Sequence, residues 1–487
     1  MNNRILTMLL LIFCSTHLFS QTAADALRFS QFDFGGTARA VGSGSALGAL
    51  GSDFSALSVN PAGLGWYRRS EFVFTPGIAS SGTTSRLLNS EPGGLTEDNR
   101  SAFNLASLGT VIASNPRSQD WTTFNFAIGF NRVADFNQRF FFQGNSQGSI
   151  VNRFQEIANS GAGLGNFESR IAHGAEAIYD FDNTGVFNSD FELAPNAIIN
   201  RNQTVINRGS MSELGISISG NYKERVLLGV TVGLPFISFT EEKVYRESDP
   251  NNEVPFFESL EYRERLTTTG VGINLKAGII VRPHQALRLG AAVHTPTTFR
   301  RLEDNYRTAM DYNYVDDGQF FQGRDSLDGI FQYRLRTPWR YIGSAGLIVG
   351  KTGFLSAEAE WVDYSNNRFT FTNLSFSNDE RIANDSITAT LSQAVNIRLG
   401  GELAYEIFRF RAGLGLHGSP YAGVNDTDTS YSFGLGIREQ SFYIDLAFRR
   451  RQFGSTYLPY RTSQAPMQVV NNQRNSDQFL LTFGFRF

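Results

Sequence analysis

The chain has 487 residues, with 43 basic and 46 acidic side chains and a formal net charge of −3. This near balance lacks the basic excess of a nucleic-acid-binding protein, so no nucleic-acid partner is expected. Beyond the first 21 residues no run of about 20 apolar residues occurs, so the sequence excludes a membrane-spanning helix there.

The first residues have the pattern of a secretory signal peptide. Arg4 supplies a short basic start, an apolar run extends from Ile5 to Phe13, and small residues occur near positions 20 to 24. We expect residues 1–21 to be removed on export. The single cysteine, Cys14, lies in this segment, so the rest of the chain has no disulfide and no thiolate metal site. The bulky residue before Cys14 disfavours a lipoprotein anchor.

Residues 22–69 are rich in Gly, Ala and Ser and have no clean strand pattern. A segment of this length at the periplasmic end of a barrel can fold back into its lumen. We therefore expect residues 22–69 to form an N-terminal hatch, or plug, inside the barrel predicted below.

Fourteen candidate strands follow, an even number, as single-chain bacterial barrels require. Their approximate bounds are 70–80, 101–114, 121–137, 211–222, 225–240, 258–282, 286–299, 328–350, 353–371, 388–405, 408–418, 428–438, 441–452 and 477–487. Short and long connections alternate, which is the rhythm of short periplasmic turns and long extracellular loops. Residues 70–487 are therefore predicted to form one barrel, with the C-terminus at the periplasmic end.

The longest connection, residues 138–210, carries helical spacing of apolar residues. These residues are Ile150, Val151, Phe154, Ile157, Ala158, Ile171, Ala172, Ala175, Ile178 and Tyr179. We expect a helical cap outside the cell, inserted after the third strand. Phe154, Ile157, Ile171 and Ile178 are candidates for an external apolar groove, because a carrier of lipid-like molecules needs an apolar pocket. They are equally compatible with the core between two helices.

Two-residue alternation is clearest near the C-terminus. One face of the last strand carries Phe479, Leu481, Phe483, Phe485 and Phe487. A soluble sandwich also alternates, but its apolar face points inward, whereas a membrane barrel turns its apolar face to lipid and keeps a polar lumen. The export signal, the 43 phenylalanines, the terminal Phe and the loop rhythm favour the membrane barrel. The predicted fold class is all-β, a transmembrane antiparallel β-barrel of about fourteen strands.

Several stretches carry a resemblance to a known family. The region before the first strand contains 35–40 (GGTARA), 48–53 (GALGSD) and 60–63 (NPAG). Weaker matches are Asn104, 289–296 (LGAAVHTP), 337–340 (TPWR) and 357–365 (AEAEWVDYS). On these motifs, which extend over most of its length, the chain resembles the FadL/TodX family of outer-membrane transporters for long-chain fatty acids and hydrocarbons.

The resemblance implies a fourteen-stranded barrel with an N-terminal hatch, and helices after the third strand that help to form an external binding groove. It assigns Asn60, Pro61 and Ala62 to the hatch gate. It also implies lateral exit of the ligand through a kink in the third strand. The corresponding stretch here is residues 129–135, with Gly129 and Asn131 as candidate opening residues, and it lacks a glycine-rich break.

The residues themselves support a rigid turn at Asn60-Pro61. Proline removes a backbone donor and holds the preceding residue extended, while the asparagine side chain can bond nearby backbone groups. An ordinary capped turn would look the same in isolation. Its position just before the first strand favours a role in the plug.

Charged residues recur on the polar face of the C-terminal strands. They are Arg398, Glu402, Arg409, Arg411, Arg438, Asp445 and Arg449, with Arg486, Glu358 and Glu360 as further members. One interpretation is a lumenal ladder that holds a ligand carboxylate, which Arg does better than Lys. The favoured interpretation is a structural network of salt bridges that fills the lumen and braces the hatch.

The predicted function is uptake of hydrophobic small molecules of the fatty-acid or hydrocarbon type across the outer membrane of a Gram-negative bacterium. The ligand would be captured at an external groove and would then diffuse past the hatch. The alternative is a barrel scaffold or accessory subunit of a protein-secretion system. Outer-membrane lipid and lipopolysaccharide are the expected surroundings, the chain is expected to be monomeric, and no metal or cofactor is predicted. An enzyme is not indicated, because His173, His284, His294 and His417 lack catalytic spacing.

Overall fold

The computed structural model describes residues 22–90, 94–118, 120–161, 163–165 and 167–487. The predicted signal peptide, residues 1–21, lies outside the described residues. The strand segments in these ranges are β1 Glu71–Leu87, β2 Leu95–Ser114, β3 Trp121–Asp135, β4 Gln138–Gln147, β5 Ile198–Tyr222, β6 Val226–Ser248, β7 Phe257–Val281, β8 Leu287–His294, β9 Thr298–Asp316, β10 Gln319–Arg336, β11 Arg340–Val349, β12 Gly353–Asp363, β13 Arg368–Phe371, β14 Gln393–Tyr405, β15 Phe408–Gly418, β16 Thr427–Arg438, β17 Phe442–Tyr457 and β18 Val470–Arg486.

Helices are few and short by comparison. The α-helices in the described ranges are α1 Ala23–Arg28, α2 Ala38–Gly42, α3 Ile150–Ala158, α4 Ser169–Gly174 and α5 Ser377–Thr390. Five 3₁₀-helices cover Phe54–Leu57, Pro61–Trp66, Asp190–Glu192, Tyr364–Asn366 and Leu374–Phe376 in the same ranges. None of these described helices is long and apolar enough to cross a membrane.

The strand segments form a closed antiparallel barrel of fourteen strands. Four of the fourteen are interrupted, so each consists of two segments: β3 with β4, β8 with β9, β10 with β11, and β12 with β13. The first and last strands close the sheet, from the pair Glu71 and Arg486 to the pair Leu87 and Val470. This closure pairs the edges that the first and last strands would otherwise leave free in a bilayer. The predicted fold class is confirmed.

The two faces of the wall differ as the alternation predicts. Leu446 and Leu435 point outward and are 52% and 59% exposed, whereas Arg411 and Asp445 point into the lumen and are buried. A soluble sandwich would bury its leucines and expose its charges. The outer face is therefore the lipid-facing surface of a transmembrane barrel.

The cap contains fewer residues than the predicted range of 138–210. Residues 138–147 and 198–207 are not loop but paired strand, with Gln138 opposite Asn207 and Gln147 opposite Ile198. A bilayer needs only about 9–11 residues per strand, so this part of the wall extends beyond the membrane, where outward residues are polar and alternation is weak. Within this connection, α3 and α4 occupy the shorter stretch between β4 and β5.

The N-terminal segment lies inside the barrel. Its residues are mostly buried, and it contacts opposite parts of the wall: the Ala38 amide donates to the Thr482 hydroxyl at 2.7 Å, and the Gly48 amide donates to the Glu358 carboxylate at 2.9 Å. Thr37, Asp53 and Asn60 each cap a short helix of this segment through a side-chain oxygen. The segment has little regular secondary structure, and these caps stabilise its short helices.

The lipid-facing surface gives a direct prediction. Leu446→Arg should destabilise the barrel in a bilayer by about 2–4 kcal/mol, because it places a charge near the membrane midplane. Ile330→Arg is the matched control, since Ile330 is also outward and exposed but lies between the polar residues Asp328 and Gln332 of β10. Urea-dependent unfolding in lipid vesicles measures both. Equal costs for the two variants would contradict this assignment of the membrane surface.

Candidate functional site: the hatch, the lumen and the barrel wall

The Asn60-Pro61-Ala62 turn is buried where the hatch meets the wall. Asn60 caps the 3₁₀-helix that begins at Pro61, and its side-chain oxygen accepts from the Ala62 amide at 3.2 Å. The Asn60 amide nitrogen donates to the Gly48 carbonyl at 2.7 Å and to the Ile279 carbonyl of β7 at 3.4 Å. The turn thus joins two parts of the hatch to each other and to the wall.

Glycines in the wall make this contact possible. A side-chain carbon at Gly278 of β7 would overlap the Asn60 side-chain oxygen, and one at Gly229 of β6 would overlap the backbone of Pro61. The backbone of the wall therefore approaches the turn more closely than any other residue type would allow.

An ion-pair chain links the hatch to the C-terminal strands. Arg39 of the hatch lies 3.4 Å from Glu402, which also contacts Arg411 at 2.6 Å. Arg411 continues to Asp445 at 2.6 Å, and Arg438 lies 3.7 Å from the same carboxylate. Each charged group of this ion-pair chain has an opposite charge beside it, as charged groups removed from water require.

A second network lies higher in the lumen. Arg398 contacts Glu358 at 2.9 Å and Glu360 at 2.7 Å, and Glu360 also pairs with Arg340. The hatch joins this network, because Arg340 donates to the Ser30 carbonyl at 3.0 Å.

Two further pairs attach the hatch elsewhere. Asp33 pairs with Arg449, and Ser58 donates at 3.3 Å to Glu213, which forms a fully buried pair with Lys276. Sequence patterns do not connect Arg39, Asp33 or Lys276 with the predicted ladder, because the partners of these residues lie far away along the chain.

The predicted polar ladder is therefore largely a lumenal network that holds the hatch. The ladder members that take part in it are Arg398, Glu402, Arg411, Arg438, Asp445 and Arg449. Arg409 does not: it lies near the periplasmic turn and donates to the Glu406 and Phe408 carbonyls at 2.8 and 2.7 Å. The arrangement favours bracing of the hatch over binding of a ligand carboxylate, because the lumenal arginines are already paired with carboxylates of the protein.

Inside the barrel, side chains of the α1 region pack with wall side chains in a buried apolar cluster, which we call the apolar chamber. Three rings form its centre: Phe29 lies 6.0 Å from Phe136 and 6.1 Å from Phe239, and Phe136 lies 5.5 Å from Phe239, all edge to face. Other buried members are Leu27, Val133, Ala134, Met211, Ile237, Leu266, Phe299, Leu302, Tyr333 and Leu335. In this conformation α1 and these side chains fill the chamber.

The barrel wall has a gap in its backbone pairing beside this chamber. Strands β2 and β3 pair only between Ser107–Ser114 and Phe124–Asn131. Above Ser107, β2 pairs with β1 alone within the described residues, until side-chain contacts resume between Asp98 and Arg139 at 2.9 Å. We call this interval the wall gap.

A bend in the third strand produces the gap. The ladder to β5 shifts register between Arg132 and Ala134, and β3 ends at Asp135. The Asp135 carboxylate then accepts from the Asn137 backbone amide at 2.9 Å, which turns the chain before β4 begins. A bulge and an aspartate turn thus interrupt the third strand, which has no glycine-rich break here.

The two candidate opening residues lie at and below the gap. Asn131 is the last β3 residue paired with β2, and its side chain donates to the Ser58 hydroxyl of the hatch at 2.9 Å. Gly129 lies inside the paired wall, where a side-chain carbon would overlap the ring of Phe54. Asn131 therefore borders the gap, and Gly129 gives the hatch room to pack.

The four candidate groove residues form the core of the cap. Phe154, Ile171 and Ile178 are completely buried and Ile157 is 6% exposed. Helix α3 packs on α4 and on the rim of the barrel, which excludes these side chains from solvent. The expectation of an open apolar groove lined by them is not met in this conformation, and the helix-core interpretation fits.

The cavity found in the cap is polar rather than apolar. It has a volume of about 270 Å³ and is lined by Asn152, Glu192 and Gln464 with Phe191 and Pro195. Nearby, burial raises the pKa of the Asp190 carboxyl, although the Tyr312 and Tyr179 hydroxyls donate to it at 2.6 and 2.8 Å. The Tyr312 bond ties the cap to strand β9, and the Tyr179 bond lies within the cap.

Loosening the Asn60 contact should open the hatch. We expect Gly278→Ala to raise ion conductance in planar bilayers, because the new methyl group displaces the Asn60 side chain. Gly343→Ala is the control, since a side-chain carbon there meets open space. Unchanged conductance in Gly278→Ala would contradict the anchoring role of the turn.

The ion-pair chain can be tested with neighbouring arginines of one strand. Arg411→Ala should destabilise the protein by about 3–5 kcal/mol, because it leaves two buried carboxylates without their shared cation. Arg409→Ala removes only contacts to exposed backbone carbonyls and should cost far less. Chemical denaturation in detergent compares them. Fatty-acid binding that falls in Arg411→Ala while its stability is unchanged would favour the ligand role instead.

Comparison with known proteins supports the fold. No protein-family model and no curated protein sequence matches the chain. A FadL homologue of Pseudomonas aeruginosa is 13% identical, has a TM-score of 0.55, and the match covers 94% of this chain and 100% of the homologue. The toluene transporter TodX of Pseudomonas putida is 12% identical, with a TM-score of 0.53, and the match covers 94% of this chain and 100% of TodX. The toluene transporter TbuX of Ralstonia pickettii is 14% identical, with a TM-score of 0.52, and the match covers 93% of this chain and 99% of TbuX. The chain therefore has the β-barrel fold of the FadL/TodX structures.

Proposed function

We propose that this protein is an outer-membrane channel for the uptake of hydrophobic small molecules. Its fold is that of proteins named as transporters of toluene. The lipid-facing outer surface and the closed sheet suit a bilayer. The bacterial outer membrane is the location that accommodates such barrels.

The observation that carries the proposal is the position of the apolar chamber beside the wall gap. Val133, Ala134 and Phe136 belong to the chamber, and the same stretch of the third strand has no backbone pairing to β2. A hydrophobic molecule in the chamber would therefore be separated from the membrane by side chains rather than by a hydrogen-bonded sheet. Side chains rearrange far faster than a sheet opens.

The gap is also lined by polar groups without partners. The side-chain amide of Asn104, the hydroxyl of Ser107 and the Nε of Arg132 are buried and make no hydrogen bond with the described residues. Buried polar groups are normally satisfied. Their presence beside the missing ladder is consistent with a wall that is adapted to part at this place.

Helix α1 is the proposed gate of the chamber. Arg28 holds it from the lumen side, since its guanidinium lies 4.3 Å from the Phe239 ring centre and 4.0 Å from Glu241. A ligand would take the place of Leu27 and Phe29 among the chamber side chains. Release would then follow through the wall gap into the membrane, while the ion pairs below keep the rest of the hatch in place.

Uptake of labelled toluene and of a labelled long-chain fatty acid by cells that express or lack the protein tests the proposal. Expression should raise the rate for at least one of them. Asn104→Trp narrows the gap and should lower that rate by about tenfold, equivalent to ~1.4 kcal/mol. Thr110→Trp is the control, because Thr110 lies in the paired part of the same strand opposite Ile128.

Two results would overturn the proposal. Rates that are equal with and without the protein would contradict transport, and co-purification with secretion components would then favour the scaffold alternative. Uptake that persists in Asn104→Trp at the rate of Thr110→Trp would contradict lateral release while leaving transport intact.

A further inference from the structure

Four exposed arginines lie together on the outer surface without a carboxylate partner. They are Arg300 of β9, Arg334 and Arg336 of β10, and Arg368 of β13. The described residues provide no ion pair for any of them, and the side chain of Arg368 donates only to the Ser365 and Asn367 carbonyls. We call this group the arginine cluster.

The strand register brings these residues side by side. Arg336 is directly opposite Arg368 on β13, and Arg334 is opposite Thr370 on the same strand. On the other side, the ladder to β9 shifts register beside Arg334, at the bulge that contains Arg300. Like charges directly opposite each other are destabilising, so the cluster needs an anion to compensate it.

Nearby carboxylates do not supply that anion. Glu303 contacts Arg301 at 2.8 Å and Gln332 at 2.7 Å, and Asp363 bonds to Ser365 and Asn366. Other outward arginines of this wall are paired, as Arg307 is with Asp328 at 3.2 Å. The cluster is therefore distinct from the surrounding polar surface.

The cluster lies just outside the lipid-facing band. Below it, Trp339, Tyr341 and Trp361 form a row on the outer face, with ring centres 6.4 and 5.5 Å apart. Aromatic rows of this kind mark the membrane interface of barrels. Since the strands continue from here to the extracellular loops, this interface is that of the outer leaflet.

A concavity in the wall opens under the aromatic row and faces the lipid. It has a volume of about 650 Å³ and its floor is made of small residues, Ala277, Ala291, Gly343 and Ala359. Tyr341, Trp361 and Val395 form part of its rim. Its volume is within the range of about 300–1,000 Å³ that ligand pockets have, and its lining suits an acyl chain.

We propose that this surface binds lipid A, the phosphorylated glycolipid anchor of lipopolysaccharide. Its phosphates would sit on the arginine cluster, where planar guanidinium groups can bind them in bidentate fashion. One acyl chain would lie in the concavity below. The inference rests on the outer-membrane location proposed above and not on transport.

Binding of purified lipid A to the detergent-solubilised protein, counted by native mass spectrometry, tests the proposal. The variant with Arg300, Arg334, Arg336 and Arg368 all changed to Gln should bind at least about tenfold more weakly, equivalent to ~1.4 kcal/mol. The control variant changes Arg86, Arg117, Arg170 and Arg225 to Gln. These four are also exposed, lie away from the cluster and remove the same charge.

Two further probes separate head group from acyl chain. Dephosphorylated lipid A should bind the wild type and the cluster variant equally. Gly343→Leu should weaken binding of phosphorylated lipid A with the arginines intact, and the open space around Gly343 lets the new side chain fit without disturbing the wall.

Three outcomes would overturn the proposal: equal lipid A binding by the cluster variant and the wild type, equal weakening by the control variant, or tighter binding of phosphatidylglycerol than of lipid A. The hydrocarbon-uptake assay on the same variants is independent of these outcomes. Failure of the wild type to raise uptake would remove the transport proposal and leave the lipid A result standing.

Discussion

The pairing of β1 with β18 closes the sheet, and this closure constrains the lumen, the hatch and the outer surface. In hydrocarbon, an unpaired backbone amide or carbonyl costs several kcal/mol, so a strand protein can enter a bilayer only as a closed barrel. Closure in turn fixes which side of every strand meets lipid. In the lipid-facing band, apolar side chains such as Leu435 and Leu446 face outward, while charged side chains such as Arg411 and Asp445 face the lumen.

Confined charges then determine how the hatch is held. Arginines and carboxylates removed from water are tolerated only in pairs, and the wall alone does not pair them all. Asp33 of the hatch pairs with Arg449, and Arg39 of the hatch contacts Glu402, which Arg411 of the wall also contacts. The hatch is therefore part of the electrostatic balance of the lumen, and moving all of it would separate several ion pairs at once. A small movement of α1, which the chamber holds mainly by apolar contacts, disturbs far fewer of them.

The wall gap is the place where the closed ladder gives way. Its cause is local, a bulge and an aspartate turn in the third strand, but its position beside Phe136 and the apolar chamber is a property of the whole barrel. The interruptions of β8/β9, β10/β11 and β12/β13 have a different consequence. They bend the opposite wall at the level of the aromatic row, between the concavity and the arginine cluster.

The barrel, its strand number and its lipid-facing side could be predicted from the sequence, because the bilayer imposes a two-residue period and an apolar outer face on each strand separately. The sequence also indicated residues 22–69 as a candidate hatch and the Asn60 turn as a candidate part of it. Only the tertiary structure decided which charges meet, since Arg39 and Glu402 are far apart in the chain, and only it turned Phe154, Ile171 and Ile178 into a core rather than a groove. The wall gap is also a property of the tertiary structure. It is a missing ladder between two strands, so it cannot be predicted from the sequence of either strand alone.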